Sequence, residues 1–249
     1  MKVFLKTKMK FWYILFWLIL FPISINAQEI ALMSDIHSGI EKKLAKKNGT
    51  RVYPRKAEKL FKQKIQKIKN SNIELLIILG DSTQRKEQKR FNRLYNSLGD
   101  LNTIWIKGNH DGGYGVFSNM QLFDYGEFQI IVLDSNALFA KDTGFLSEEQ
   151  KSFVLENLNK PTIIAMHHPF YTCNSSDIVS SYADFKTELE ENGNVIFVLS
   201  GHCHSYNYQF SNGVKYITVE ALTWANNHYV INTEDQDENS SEDPGEEPR

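Results

Sequence analysis

From residue 29 onward, two hydrophobic periods take turns along the chain. Short runs rich in β-formers, Glu29–Met33, Ile73–Leu79, Thr103–Ile106, Thr162–Met166 and Asn194–Leu199, predict strands. Ile73–Leu79 is almost continuously apolar, as expected where both faces of a strand are covered. Between these runs the spacing becomes helical. Ala57, Leu60, Phe61, Ile65 and Ile68 predict one amphipathic helix with lysines on its other face, and Phe91, Leu94, Tyr95 and Leu98 a second over about Lys86–Leu98. Ser147-Glu148-Glu149-Gln150 has the form of a capping box, which predicts a helix to about Leu158. A further helix is predicted near Ile178–Glu191. Met120–Phe123 and Glu127–Leu133, around Asp124-Tyr125-Gly126, predict a hairpin, and Tyr206–Phe210, Val214–Val219 and His228–Ile231 an antiparallel, strand-rich end. No repeat or linker divides this stretch, so residues 28–231 are expected to form one mixed α/β domain.

Both ends differ from the middle. Lys2, Lys6, Lys8 and Lys10 precede an apolar, aromatic-rich run, Phe11–Ile25, and then Asn26-Ala27-Gln28. A basic start, an apolar run and a small residue before the cut form the pattern of a signal peptide over residues 1–27. The alternative is an uncleaved anchor, although the run is shorter than the roughly 20 residues that span a bilayer. On either reading the domain is expected outside the cytoplasm, secreted or periplasmic, or held at the membrane by that segment alone. Residues 232–249 hold eight acids and one Arg and predict an acidic disordered tail. Setting both ends aside leaves 23 basic and 22 acidic residues, a nearly neutral core. The balance is uneven within it, because residues 41–69 carry twelve Lys/Arg against Glu41 and Glu58. The part over Lys59–Lys69 reads as a solvated helix face. Lys42–Arg55 reads either as solvated loop or as a positive rim that draws in an anionic substrate.

Candidate chemistry gathers at the strand ends. Six of the seven histidines fall in Asp35-Ile36-His37, Gly108-Asn109-His110-Asp111, His167-His168-Pro169 and Gly201-His202-Cys203-His204, and the run Leu75–Leu79 ends in Gly80-Asp81. Histidine with carboxylate and amide oxygens suits borderline-hard divalent ions, and ligands of open α/β sheets collect at the carboxyl ends of strands. Each motif alone is weak; the five together predict a metal-dependent hydrolase.

With these motifs in this order, and with Leu133-Asp134-Ser135 and Gly144-Phe145-Leu146 following the pattern between them, the chain resembles the calcineurin-like metallophosphoesterase family over nearly all of residues 29–222. The resemblance implies a four-layer α-β-β-α sandwich with mixed sheets. It also implies two metal ions, divalent or trivalent (Mn, Fe or Zn), with Asp35, His37 and His204 on the first, Asn109, His167 and His202 on the second, and Asp81 bridging them. A hydroxide held by both ions would then attack a phosphodiester or phosphomonoester. His110 would serve the leaving oxygen as a catalytic acid, with Asp111 orienting its imidazole. The implied partner is a phosphate-ester substrate; no nucleic-acid polymer is expected, and neither the substrate-binding residues nor the oligomeric state is readable. A catalytically degenerate scaffold is the rival reading, as is an anchored enzyme acting on lipid or envelope phosphoesters.

Departures narrow the group. Purple acid phosphatases carry a tyrosine where this chain has Gln84 and lack a histidine at the place of His37, and Ser82-Thr83-Gln84 lacks the second acid usual in protein phosphatases. What remains resembles the broad phosphodiesterase-type group. His168 is expected to point away from His167 along an extended segment, with rim or structural duty. His228 reads as structural, and Cys203 as outside the ligand set. Cys173 and Cys203 are either a disulfide or two buried thiols.

Overall fold

The computed structural model describes residues 28–47, 49–136, 143–171, 183–225 and 228–233. The expected leader, most of the expected tail, Cys173 and the start of the helix near Ile178 lie outside them. Among the described residues no helix is long and apolar enough to cross a membrane.

Two sheets face one another. The first has the order β10-β1-β2-β3, from β10 (Tyr229–Asn232), β1 (Glu29–Met33), β2 (Leu75–Ile78) and β3 (Thr103–Trp105). The second has the order β4-β5-β6-β7-β9-β8, from β4 (Met120–Asp124), β5 (Gln129–Leu133), β6 (Thr162–Ala165), β7 (Val195–Ser200), β9 (Val214–Thr218) and β8 (Asn207–Ser211). In the first sheet β1, β2 and β3 are parallel and β10 is antiparallel to β1. In the second, β5, β6, β7 and β9 are parallel, and β4 and β8 are antiparallel edges. Both sheets are therefore mixed.

The strand alternation builds the layers. Ile30 and Leu32 of β1, Leu75 and Ile77 of β2, and Ile130, Ile163, Phe197 and Leu199 of the second sheet meet in the core between the sheets. Their chain neighbours point outward. Ala31, Met33, Leu76 and Ile78 pack on Phe61, Ile65, Phe91 and Leu94 of α1 (Pro54–Lys69) and α2 (Gln88–Leu98). Ile131, Ile164 and Val198 pack on Val154, Phe185 and Leu189 of α3 (Glu148–Asn157) and α4 (Ala183–Asn192). The result is the expected four-layer α-β-β-α sandwich, in which each buried side chain of Leu, Ile or Phe size contributes about 1.5–3 kcal/mol. At α3 the capping box is present in both directions between Ser147 and Gln150.

Three expectations change. The last strands do not form one antiparallel end: β9 is parallel to β7, and β10 returns to the other sheet, pairing Glu29 with Asn232. β10 thus extends one residue into the stretch expected as tail. A short helix, α5 (Leu222–Ala225), intervenes, and its Leu222 joins the α1/α2 layer.

Candidate metal centre

Parallel strands within each sheet put their carboxyl ends on one rim, and the sandwich sets the two rims side by side. The loops leaving β1, β2 and β3 deliver Asp35, His37, Asp81, Asn109 and His110, while those leaving β6 and β7 deliver His167, His202 and His204. The backbone there is unusual. Asp35, His37, Asp81, His202 and His204 all have φ between 46° and 69°, the left-handed region that costs an L-residue about 1–2 kcal/mol. Such strain persists where surrounding structure over-determines it, and it concentrates at functional sites.

The loops fit closely because two glycines let them. A Cβ on Gly108 would lie 2.1 Å from Asp81 Oδ1 and 2.2 Å from Asp81 N. One on Gly201 would lie 1.8 Å from Ser34 Oγ, 2.9 Å from Asp35 Oδ2 and 3.0 Å from the Leu79 carbonyl. That carbonyl accepts from His167 Nδ1 at 2.7 Å, so a bulge at residue 201 disturbs both sheets' contributions. Gly201→Ala is expected to weaken metal binding about 10–100-fold, as loss of a ligand-orienting contact does, and a metal titration of the folded variant with unchanged affinity would disprove this.

Two clusters of ligating groups result. Asp35, His37, Asp81 and His204 form one, with His37 Nε2 and His204 Nε2 2.9 Å apart, His204 Nε2 3.3 Å from Asp35 Oδ1, and His37 Nε2 3.4 Å from Asp81 Oδ2. Asp35 Oδ2 accepts from Ser34 Oγ at 2.6 Å and from the His202 amide at 2.9 Å, which leaves Oδ1 buried, without a hydrogen-bond partner, on the side of the two imidazoles. An orphaned carboxylate oxygen beside two converging ring nitrogens fits a cation. His167, His168 and His202 form the other cluster. The Leu79 carbonyl holds a proton on Nδ1 of His167, which turns Nε2 toward Asn109 Oδ1 at 3.0 Å and Asp81 Oδ2 at 3.5 Å. Asp81 therefore faces both clusters, while its Oδ1 accepts the His110 amide at 2.8 Å.

Burial lowers His167, but Asp81 and Asp35 raise it to about 9, so a metal at Nε2 would have to displace a proton there. Burial works against ionisation of Asp81, but His167 and His37 hold its carboxyl below the usual range. Asp35 is likewise depressed, by His204 and His37 against the cost of burial. Burial lowers His37, and burial with His167 lowers His202, which keeps both rings neutral with lone pairs to offer.

Asp111 does not orient His110. Its Oδ2 accepts from the amides of Gly108 at 3.0 Å and Ser82 at 3.1 Å, and its Oδ1 from that of Thr83 at 3.1 Å. The carboxylate instead ties the loops after β2 and β3 together, and burial, with Asp81 nearby, raises it to about 7. The ring of His110 is half-buried and holds the Gln84 carbonyl with Nδ1, at 3.2 Å. His168 also differs from expectation. Residues after β6 bend instead of extending, so its ring turns inward, 4.4 Å from that of His202 and 5.0 Å from that of His167 between centroids. Ser135 Oγ accepts the His168 amide at 3.0 Å and lies 2.9 Å from Nδ1. Sequence reasoning singled out Leu133-Asp134-Ser135 but gave Ser135 no task. Cys203 is buried and is not a free thiol; any pairing with Cys173 involves a residue outside those described.

The model of the calcineurin-like phosphoesterase family matches residues 29–206. A 3′,5′-cyclic-nucleotide phosphodiesterase of Nostoc sp. (strain PCC 7120) is 28% identical over 166 residues, which cover 58% of this chain and 61% of the relative. The chain thus spans about three fifths of the length of that curated relative. Among solved structures, a dimetal phosphatase from Danio rerio superposes with a TM-score of 0.68 at 13% identity, covering 79% of this chain and 88% of that one. A purple acid phosphatase from yellow lupin reaches 0.54 at 14% identity, over 78% and 44% of the two chains. At these identities the superpositions establish a shared fold.

Proposed function

Because the chain belongs to the calcineurin-like phosphoesterase family, and is accordingly a metal-dependent phosphoesterase, we propose that Asp35, His37 and His204 hold one metal ion, that Asn109, His167 and His202 hold a second, and that Asp81 serves both. The observation that carries this reading is the Asp81 carboxylate, 3.4 Å from His37 Nε2 and 3.5 Å from His167 Nε2, at the junction of the two clusters. Ions bound there supply Lewis acidity toward a phosphoryl group and make water more acidic.

The chain's own residues do the rest. Leu79, Ser34 and the His202 amide hold His167 and Asp35 in their ligating orientation. Asp111 fixes the turn that presents Asn109 and His110 together. His110, with Nδ1 donating to the Gln84 carbonyl, would act as the imidazolium, passing the Nε2 proton to the departing alkoxide and keeping the Nδ1 proton. No covalent bond to a side chain is required. Substrates are phosphodiesters or phosphomonoesters of small or lipid-linked molecules; the similarity to a cyclic-nucleotide phosphodiesterase adds cyclic nucleotides to those worth testing. The leader pattern supports action outside the cytoplasm.

The test is hydrolysis by chain recovered from the exported fraction, where an N-terminus at Gln28 is expected, after loading with Mn²⁺ or Zn²⁺. Aryl mono- and diesters, 3′,5′-cyclic nucleotides and glycerophosphodiesters are the substrates. Activity that a chelator removes and the metal restores is the expected result. Two bound metals with no turnover on any of them would favour the scaffold reading.

A further inference from the structure

Of the twelve Lys/Arg residues in 41–69, Lys47 is the one that lies against a histidine of the two clusters. Lys47 Nζ lies 3.2 Å from His202 Nε2, donating to the lone pair that His202 offers the second cluster. Its backbone is pinned. The Lys47 amide donates to the Thr50 carbonyl at 3.0 Å, the Thr50 amide returns the bond at 2.8 Å, and Leu44 and Val52 continue the ladder at 2.9 Å. Gly49, at φ +84°, supplies the reversal between them, and buried Thr50 and Val52 root this small hairpin in the protein. Neighbouring cations are engaged elsewhere: Arg55 donates to the Ile40 carbonyl at 3.0 and 3.2 Å, and Lys56 sits over the Tyr53 ring.

We propose that Lys47 is a substrate-binding residue, an ammonium that the 44–52 hairpin holds at the His202 side of the centre to grip a phosphoryl oxygen. The proposal rests on the dimetal phosphoesterase reading above. A metal that takes the His202 lone pair displaces the ammonium from Nε2, but the pinned hairpin and a four-carbon stem keep it at the same rim. There the ammonium can donate to an anion. Such a charge favours a terminal phosphate, which carries up to two negative charges, over a diester, which carries one.

The experiment compares the metal-loaded full chain with Lys47→Met and Lys47→Arg. It measures metal content, calorimetric affinity for inorganic phosphate, and steady-state constants for an aryl monoester and a bis-aryl diester. Lys47→Met should keep two metals and lose about tenfold to hundredfold in phosphate affinity, the weight of one charge-assisted hydrogen bond. KM for the monoester should rise by a similar factor, that for the diester by less, and kcat should change little. Lys47→Arg should retain most of the phosphate affinity. Unchanged phosphate affinity in Lys47→Met with two metals bound overturns the proposal, and so does a gain in metal affinity without that loss, since the lysine would then only compete with the metal for His202. Loss of phosphate affinity in a chain that hydrolyses no ester would uphold Lys47 as an anion-binding residue while removing the catalytic reading.

Discussion

Asp81→Asn is expected to silence the enzyme, lowering turnover by about three orders of magnitude or more and bound metal below two ions per chain. One carboxylate oxygen faces His37 and His167 together, and the other is already committed to the His110 amide. Asparagine preserves the shape of the group but removes the charge both clusters share, and its amide nitrogen would present a donor where a ligand is needed. Metal polarisation of a phosphoryl group is worth several kcal/mol, and each ~1.4 kcal/mol is a factor of ten, which gives roughly that loss. The fold should survive, because the asparagine side-chain oxygen can still accept the His110 amide as Asp81 Oδ1 does. Far-ultraviolet circular dichroism, metal analysis and turnover together check the expectation. Two metals bound with turnover within tenfold of the parent would remove Asp81 from the bridging position.

His110→Ala should behave differently. The His110 ring packs edge-on to that of His37 at 4.9 Å between centroids but belongs to neither ligand cluster. Its hydrogen bond to Asp81 comes from the backbone amide, which alanine retains. Two metals should therefore remain, while turnover falls by about two to four orders of magnitude, the usual weight of a positioned acid. The loss should depend on the leaving group. An alkyl ester, whose alkoxide needs a proton, should suffer most, and a nitrophenyl ester, whose phenolate departs unaided, much less. Equal losses on both would rule out proton donation and leave His110 a positioning residue.

Much of this architecture was legible because it depends on local rules. The strands that carry the site are covered on both faces, so their runs are densely apolar, and the box Ser147-Glu148-Glu149-Gln150 starts its helix by contacts within four residues. The motifs that bear Asp and His stand out because each follows such a run. What escaped depends on partners distant in sequence. β10 pairs with β1, some two hundred residues away, and nothing in the run Tyr229–Asn232 favours that edge over the neighbouring hairpin. Asp111 looked like an orienting carboxylate because it adjoins a histidine, whereas its bonds go to backbone amides that no side-chain pattern reveals. His168 would point away from His167 along an extended segment, and the bend after β6 instead brings the two rings together. Lys47 is indistinguishable from its basic neighbours until the hairpin register selects it.

The left-handed backbone at Asp35, His37, Asp81, His202 and His204 also bears on how this protein can be improved. Glycine adopts that conformation without the penalty of about 1–2 kcal/mol, at a cost of about 0.5–1 kcal/mol in unfolded-chain freedom. At each of those five positions, then, the exchange that relieves the backbone is also the one that would erase a proposed ligand. A directed-evolution campaign that scores backbone relief through melting temperature should therefore carry an activity gate at these positions.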